Sequence, residues 1–186
     1  MNFEFSADQM QLKDIARKFL EKEDAVKRAR NVLEGEASYD EDLWSQIIEM
    51  GFTATAIPEE YGGLGLGYLE LCVIAEELGR SLAPTPFSSS VYLASEAIIN
   101  FGDESQKESF LPGLASGEKI GAFAHSETNT SPTEANISCS FSGGTLSGTK
   151  IAVADGDVAN TFIVTANNGS GVSLYLVDGT ADGIKI

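Results

Sequence analysis

Residue types that often carry chemistry are sparse in this sequence. There is one histidine, His125, and the two cysteines, Cys72 and Cys139, lie far apart. Together they have neither the spacing of metal ligands nor that of a disulfide framework. Nothing beside His125 in the sequence forces a Ser-His-Asp triad. His125 therefore stays open between a ligand contact and a solvated imidazole in a loop or at a strand end.

A glycine-rich segment, from Ile57 to Gly67, is a second candidate because glycines can cradle phosphates. A dinucleotide fingerprint needs G-x-G-x-x-G directly between a strand and a helix, whereas these glycines follow a predicted helix and a proline. We interpret the segment as a tight connecting loop whose glycines supply positive φ. The carboxylates in and after it are interpreted as loop and helix-surface charges rather than as catalytic bases: Glu59, Glu60, Glu76 and Glu77.

Length and charge limit the function classes. The 186 residues, 42% of them hydrophobic, suffice for one domain or two small ones. The net charge of −16 lies mainly in residues 1–118, which carry 22 acidic and 9 basic side chains. Such a surplus repels nucleic acid and anionic membrane surfaces. There is no signal-peptide pattern and no apolar run of membrane-spanning length, so we expect a soluble, cytoplasmic protein with no nucleic-acid or membrane partner.

Helical periodicity fills residues 1–118, and strand patterns follow. After Lys119, short apolar runs alternate with segments rich in Gly, Ser, Thr and Asn. Helices followed by strands predict an α+β fold, with an all-helical domain over 1–118 and a β-domain over 119–186. Gly183–Ile186 is strand-like with no turn after it, so we expect the sheet, and the chain, to be incomplete there.

The predicted helices have recognisable ends. Ser6 with Gln9, and Asp103 with Gln106, mark helix starts, and Gly51 marks a helix end. Between these signals the predicted helices are about Asp40–Met50, Leu69–Ser81 and Ser88–Asn100. The predicted strands are Ile120–Ala124, Ile137–Phe141, Thr149–Ala154, Thr161–Ala166 and Val172–Val177.

Two blocks of sequence carry a resemblance to a known family. The first comprises Leu43-Trp44 to Gly51-Phe52, IPEEYGGLG at 57–65 and IAEELGR at 74–80; the second comprises FGDESQK at 101–107, FLP at 110–112 and ASGE at 115–118. In this order they resemble the acyl-CoA dehydrogenases over about Phe5–Ile186. The resemblance implies a helical domain, a β-barrel-like antiparallel domain that is only partly present, and a C-terminal helical bundle. The family's catalytic glutamate would lie beyond Ile186.

The resemblance also implies an activity. In such enzymes a carboxylate removes the α-proton of an acyl-CoA thioester while the β-hydrogen leaves as a hydride to FAD. An electron-transfer flavoprotein or a similar acceptor then takes the electrons. Leu82–Phe87 resembles subunits of heteromeric bacterial members that act on bulky acyl groups such as steroid side chains. We therefore expect a homo- or hetero-oligomeric oxidoreductase, of which these residues alone are inactive.

The family's flavin-facing stretch, A-x-T-E-P-x-x-G-S-D, corresponds to Ala122–Thr133 here. The resemblance places Ser126 where a threonine contacts the flavin ring, and a serine hydroxyl can still donate that hydrogen bond. Phe123 takes the aromatic position beside it. His125 takes a position that a small apolar residue usually holds.

Other flavin positions depart from the family pattern. Thr128 replaces the proline, and Ser131 and Pro132 fall where Gly-Ser would meet the pyrophosphate, although Pro132 has no amide donor. Ala152 and Ala154 stand where members usually offer a tryptophan and a threonine. These departures leave two further hypotheses open: a non-catalytic, flavin-poor partner subunit that completes an acyl-CoA tunnel, and an inert fragment.

Three consecutive serines, Ser88 to Ser90, stand where the family's acyl chain passes. Ser88 and Ser89 are therefore candidate substrate contacts. Serines at a helix start are also ordinary capping residues, and this alternative stays open.

Overall fold

Helices precede strands along the chain, which confirms the predicted α+β class. The computed structural model describes residues 4–129, 133 and 136–186. By packing, the chain divides into one unit of Met1–Pro86 with Leu111–Glu118 and another of Phe87–Phe110 with Lys119–Ile186. The segment Phe87–Phe110 is thus helical in type but packs with the strands, and the domain boundary after residue 118 stays a prediction.

In the described part of the chain, helices follow one another along the sequence up to residue 115. Those that precede residue 87 are α1 (Ala7–Lys22), α2 (Ala25–Glu34), α3 (Glu41–Glu49) and α4 (Tyr68–Arg80), with 3-10 turns at Phe52–Ala54 and Glu59–Tyr61. A π-helix, Ser88–Ser95, runs directly into α5 (Glu96–Phe101), and α6 (Glu104–Ala115) follows. Within the described ranges, no helix is both long and apolar enough to cross a membrane.

The cap signals are confirmed at the atomic level. The Ser6 hydroxyl accepts from Gln9 N–H at 3.1 Å, and Gln9 Oε1 accepts from Ser6 N–H at 2.9 Å. Asp103 and Gln106 exchange the same pair of bonds ahead of α6. Gly51 ends α3 in a left-handed conformation, with φ of +74°. These local signals fix the ends of α1, α3 and α6.

The sequence signals missed α2. Asp24 precedes it in a left-handed conformation, at φ of 49°, and makes no side-chain cap bond. The helix has no acidic residue in its first turn and no basic residue in its last. Ala25 and Ala29 are buried, so packing holds a helix that has no side-chain cap bond at its N-terminus.

Strand β4 (Thr161–Asn167) is the centre of the sheet. It pairs with β5 (Val172–Asp178) antiparallel over its full length and with β1 (Gly121–Ala124) parallel, in register Gly121 to Thr161. The hairpin of β2 (Ser140–Ser142) and β3 (Thr145–Ser147) joins β4 through Ser140 and Asn167. The described sheet is therefore mixed and open, because the long connection from β1 to β4 lets the chain return in the same direction.

The strand predicted over Thr149–Ala154 is wrong. Ala152 and Asp155 both adopt left-handed backbone conformations, at φ of 52° and 55°, which breaks an extended strand. The segment keeps one backbone bond to the end of β1, from Ile151 N–H to the Ser126 carbonyl at 2.8 Å. The short strand β3 was missed, since three residues after a Gly-Gly turn leave little alternation to detect.

Candidate functional site

The end of β1 positions the first group of candidate residues. Side chains alternate across the strand, and Ala122 and Ala124 are buried while Phe123 is half-buried. The rings of Phe123 and His125 lie together, with centroids 6.0 Å apart and planes tilted by 50°. The aromatic and imidazole rings thus form one surface at the end of the strand.

Ser126 follows on the same segment and is half-buried. Its carbonyl is bound by Ile151 N–H, whereas no described residue bonds to its hydroxyl. This bond brings Ser126 beside the segment that carries Ala152 and Ala154, whose side chains are both exposed. The structure therefore brings five predicted site residues to one region of the second unit. Ser131 and Pro132 lie outside the described residues.

A buried carboxylate, that of Glu127, directly follows Ser126. Glu127 accepts from Ser138 N–H at 2.7 Å, from the Ser138 hydroxyl at 2.5 Å and from Cys139 N–H at 3.0 Å. Lys150 donates to it at 2.6 Å, and the side chains of the pair are only 4% and 8% exposed. Burial raises the pKa of Glu127, but the bonds from Lys150, Ser138 and Cys139 outweigh it and lower that pKa to about 2.

The ammonium of Lys150 has two further acceptors. It donates to the His125 carbonyl at 3.1 Å and to Thr165 Oγ1 at 2.9 Å, so all three of its protons are engaged. Thr165 Oγ1 in turn lies 3.0 Å from His125 Nδ1. Residues 150 and 151 therefore hold residues 125 to 127 at three successive points: the backbone carbonyls of His125 and Ser126 and the side-chain carboxylate of Glu127.

Sequence reasoning missed this network because its members are scattered along the chain. Glu127, Lys150 and Thr165 are separated by 23 and 15 residues. One signal was available, because Lys150 is one of three basic residues after position 118. A lone cation in a segment predicted as a strand requires a partner if the segment is buried.

The serines of the π-helix have separate roles. Ser88 is exposed, whereas Ser89 is fully buried and donates to Asp155 Oδ2 at 2.5 Å. Ser90 is also buried, and its hydroxyl accepts from Gly121 N–H at 3.1 Å. The N-cap residue of this helix is Phe87, which makes no side-chain cap bond. The hydroxyls of Ser89 and Ser90 thus fasten the helix to the 151–155 segment and to β1, whereas the side chain of Ser88 is exposed.

Comparison with known proteins identifies the family of this chain. Residues 6–118 match the family model described as "Acyl-CoA dehydrogenase, N-terminal domain". The chain belongs to the acyl-CoA dehydrogenase family. The match ends at residue 118, shortly before β1 begins at Gly121.

Relatives of the acyl-CoA dehydrogenase family extend the likeness over nearly the whole chain. Mitochondrial isovaleryl-CoA dehydrogenase of Arabidopsis thaliana is 31% identical over 94% of this chain and 45% of its own length. Butyryl-CoA dehydrogenase from Megasphaera elsdenii is 29% identical, with a TM-score of 0.84 over 98% of this chain and 51% of that one. The ChsE4-ChsE5 complex of Mycobacterium tuberculosis gives a TM-score of 0.87 at 27% identity, over 100% and 50%. This chain thus spans about half the length of its acyl-CoA dehydrogenase relatives.

Membership of the acyl-CoA dehydrogenase family implies a flavin cofactor, and the residues at the end of β1 provide part of what a flavin ring requires. Ser126 supplies a hydroxyl with no described partner, and Phe123 and His125, which precede it on the same segment, supply a ring surface. These groups fit a flavin ring, which needs a donor at its edge and apolar contact on its face. Ala152 and Ala154 add methyl groups but no side-chain donor.

Proposed function

We propose that this chain contributes the helical domain and part of the β-domain of an FAD-dependent acyl-CoA dehydrogenase. The observation that carries the proposal is the structural likeness to butyryl-CoA dehydrogenase over 98% of the chain. The arrangement at the end of β1 supports it, because Ser126, Phe123 and His125 lie together beside the 151–155 segment. An acyl-CoA thioester is the proposed substrate.

Phe123, His125 and Ser126 would contact the flavin, with Ala152 and Ala154 beside it and Ser131 and Pro132 nearer its phosphates. A bound FAD supplies the acceptor for the hydride that leaves the acyl chain. The residues of this chain orient the group and exclude water, whereas the base that takes the α-proton is proposed to belong to a part of the enzyme beyond residue 186. An electron-transfer flavoprotein or a similar acceptor, and a cytoplasmic location, belong to the same proposal.

FAD titration of the purified chain tests the flavin part of the proposal. Quenching of flavin fluorescence should give a saturable Kd, and Ser126→Ala should weaken it about fivefold to tenfold, the value of one hydrogen bond. Ser109→Ala, at an exposed serine of the same unit, is the matched control and should leave the Kd unchanged. Absence of FAD binding by the wild type, both in the chain and in the complete gene product, would contradict the proposal.

Activity is measured on the complete gene product. Dye reduction with butyryl-CoA and isovaleryl-CoA should be detected if that product is a dehydrogenase, and the enoyl-CoA product should be found by mass spectrometry. Dye reduction without an enoyl-CoA product would contradict α,β-dehydrogenation.

A second candidate function is that of a flavin-poor partner subunit in a heteromeric acyl-CoA dehydrogenase. It is favoured by the exposed methyl groups of Ala152 and Ala154 where side-chain donors are expected, and by the likeness to the ChsE4-ChsE5 complex. Co-expression with a homologue encoded nearby distinguishes the two. A partner subunit should co-purify as a stable hetero-oligomer and restore activity that neither chain has alone, whereas a homomeric, flavin-loaded product would exclude the partner role.

A further inference from the structure

The only histidine of the chain is held at one of its two ring nitrogens. His125 Nδ1 lies 3.0 Å from Thr165 Oγ1, while no described residue bonds to Nε2. Because the neutral imidazole carries one proton, that proton lies either on Nδ1, toward Thr165, or on Nε2. Which nitrogen carries it decides whether Nε2 donates or accepts a hydrogen bond.

Thr165 has a single proton to give, and Lys150 restricts its use. The ammonium donates to Thr165 Oγ1 at 2.9 Å, so one lone pair of that oxygen is occupied. The hydroxyl proton can then go to His125 Nδ1 at 3.0 Å or to the His125 carbonyl at 3.5 Å. The carbonyl already accepts from Lys150 at 3.1 Å, and 3.5 Å is long for a bond from a hydroxyl.

Electrostatics favours the bond to Nδ1. A hydroxyl that accepts from an ammonium becomes a stronger donor and a weaker acceptor, since bonds in a chain polarise one another. A second N–H aimed at Thr165 Oγ1 would compete with the ammonium for the same oxygen. The Glu127 carboxylate holds Lys150 in place at 2.6 Å, and both side chains are nearly fully buried. The ammonium therefore stays the donor to Thr165 Oγ1.

We propose that Glu127, Lys150 and Thr165 are positioning residues that hold His125 in the tautomer protonated at Nε2, so that it presents an N–H donor to the bound cofactor. The cofactor part of this inference rests on the proposed function. With the Ser126 hydroxyl, the site then offers two donors on neighbouring residues. They suit an acceptor atom at the flavin edge, a carbonyl oxygen or an unprotonated ring nitrogen, and they compensate in part for the donors that Ala152 and Ala154 lack.

The tautomer can be read without FAD or activity. Long-range ¹H–¹⁵N spectra of the full chain contain the ring signals of one histidine, at a mildly alkaline pH where imidazoles are generally neutral. We expect Nε2 to give the shift of a protonated ring nitrogen and Nδ1 that of a hydrogen-bonded, unprotonated one. The opposite pattern, with the proton on Nδ1, would overturn the proposal.

Thr165→Val removes the hydroxyl without unpairing Glu127 from Lys150. It should let the tautomers exchange, so that the two ¹⁵N shifts move toward each other, while Thr165→Ser should restore the wild-type spectrum. The control is Thr161→Val on the same strand, because Thr161 is equally buried and its hydroxyl has no partner among the described residues. A Thr165→Val spectrum identical to wild type would show that Thr165 does not set the tautomer.

FAD titration tests the donor itself. His125→Gln keeps an amide N–H near the place of Nε2 and should bind FAD within about threefold of wild type, whereas His125→Asn places its amide nearer Nδ1 and should lose about fivefold to tenfold. Equal affinities, or the reverse order, would overturn the donor role. If no variant and no wild type binds FAD, the proposed function fails, and the spectra alone decide the tautomer.

Discussion

At the scale of single residues, Glu127 makes stability depend on pH. Its pKa is lowered from 4.5 to about 2 in the folded chain, so the stability that it contributes is present above about pH 4.5 and is lost as the pH falls toward 2. A shift of this size corresponds to about 3 kcal/mol at neutral pH. Glu127→Gln should therefore lower the free energy of unfolding by about 3 kcal/mol at pH 7, measured in urea, and by much less at pH 3.

Glu108→Gln is the control for that measurement, because Glu108 is an exposed glutamate of the same unit. It should change the free energy of unfolding by less than about 0.5 kcal/mol at either pH. A Glu127→Gln penalty that stays the same at pH 3 and pH 7 would mean that packing, and not charge, accounts for it.

The sequence predicted one short stretch as the candidate site, and that stays a prediction, but it did not show how the stretch is held. Phe123, His125 and Ser126 were placed together because they are neighbours in the chain, and β1 keeps them so. Lys150 comes to them through tertiary folding alone, and the left-handed conformation at Ala152 turns its segment away from the predicted strand. Contacts between distant residues leave no periodic pattern in a sequence, and so the buried ion pair could not be predicted.

At the scale of elements, a buried carboxylate joins α1 to α4. Glu77 is fully buried, and its two oxygens accept from Arg17 at 2.7 and 3.0 Å and from Arg80 at 2.9 Å. The bond from Arg17, opposed by burial and aided by Arg80, lowers the pKa of Glu77 to about 2. The surface-charge interpretation of Glu77 is therefore wrong, because the helix turns this residue into the interface with α1.

Glu77→Ala should weaken the first unit by about 2 kcal/mol, less than the cost for a fully enclosed pair because both arginines reach solvent. The neighbouring Glu76→Ala removes an exposed ion pair with Lys13 and should cost less than about 1 kcal/mol. Urea unfolding followed by the fluorescence of Trp44, the single tryptophan, reports on this unit. Equal effects of the two substitutions would show that burial of Glu77 adds nothing.

The segment after Lys150 gives a second test at this scale. Ala152 carries its side chain at φ of 52°, a conformation that glycine adopts without strain. Ala152→Gly should raise the free energy of unfolding by up to about 1 kcal/mol, since relief of strain exceeds the added entropy of the unfolded chain. Ala154→Gly lacks that relief and should lower it in the same urea titration. Stabilisation by both substitutions, or by neither, would contradict this account of the broken strand.

Elements with local signals were predicted well, and elements without them were not. Capping at Ser6 and Asp103 and the stop at Gly51 fixed their helices to within a residue or two. Helix α2 is flanked by Asp24 and Gly35, but Asp24 makes no side-chain cap bond and Gly35 is extended rather than left-handed, so the helix depends on the burial of Ala25 and Ala29. The resemblance implied an antiparallel β-domain, and the pairs β2–β3 and β4–β5 are antiparallel. The parallel pair of β1 and β4 was not predicted, because it depends on a connection whose path the sequence does not show.

At the scale of the whole molecule, the net charge of −16 produces self-repulsion that opposes folding. The ion pairs at Glu77 and Glu127 are buried on their acidic side and are therefore screened little by salt. Repulsion within the exposed acidic excess is screened much more strongly. Raising the salt concentration from about 10 mM to about 150 mM shortens the Debye length from about 30 Å to about 8 Å, and so should raise the melting temperature by a few degrees.

A variant with fewer exposed charges tests whether repulsion between surface charges causes this effect of salt on the melting temperature. Glu34, Glu36 and Glu60 are exposed, and changing all three to Gln removes three negative charges without touching either buried pair. The variant should melt higher than wild type at low salt, and its further gain on adding salt should be smaller, because there is less repulsion left to screen. Calorimetry at the two salt concentrations measures both differences. A melting temperature that falls with salt would mean that attraction between surface charges exceeds the repulsion, and the buried ion pairs would then not be the dominant electrostatic support of the fold.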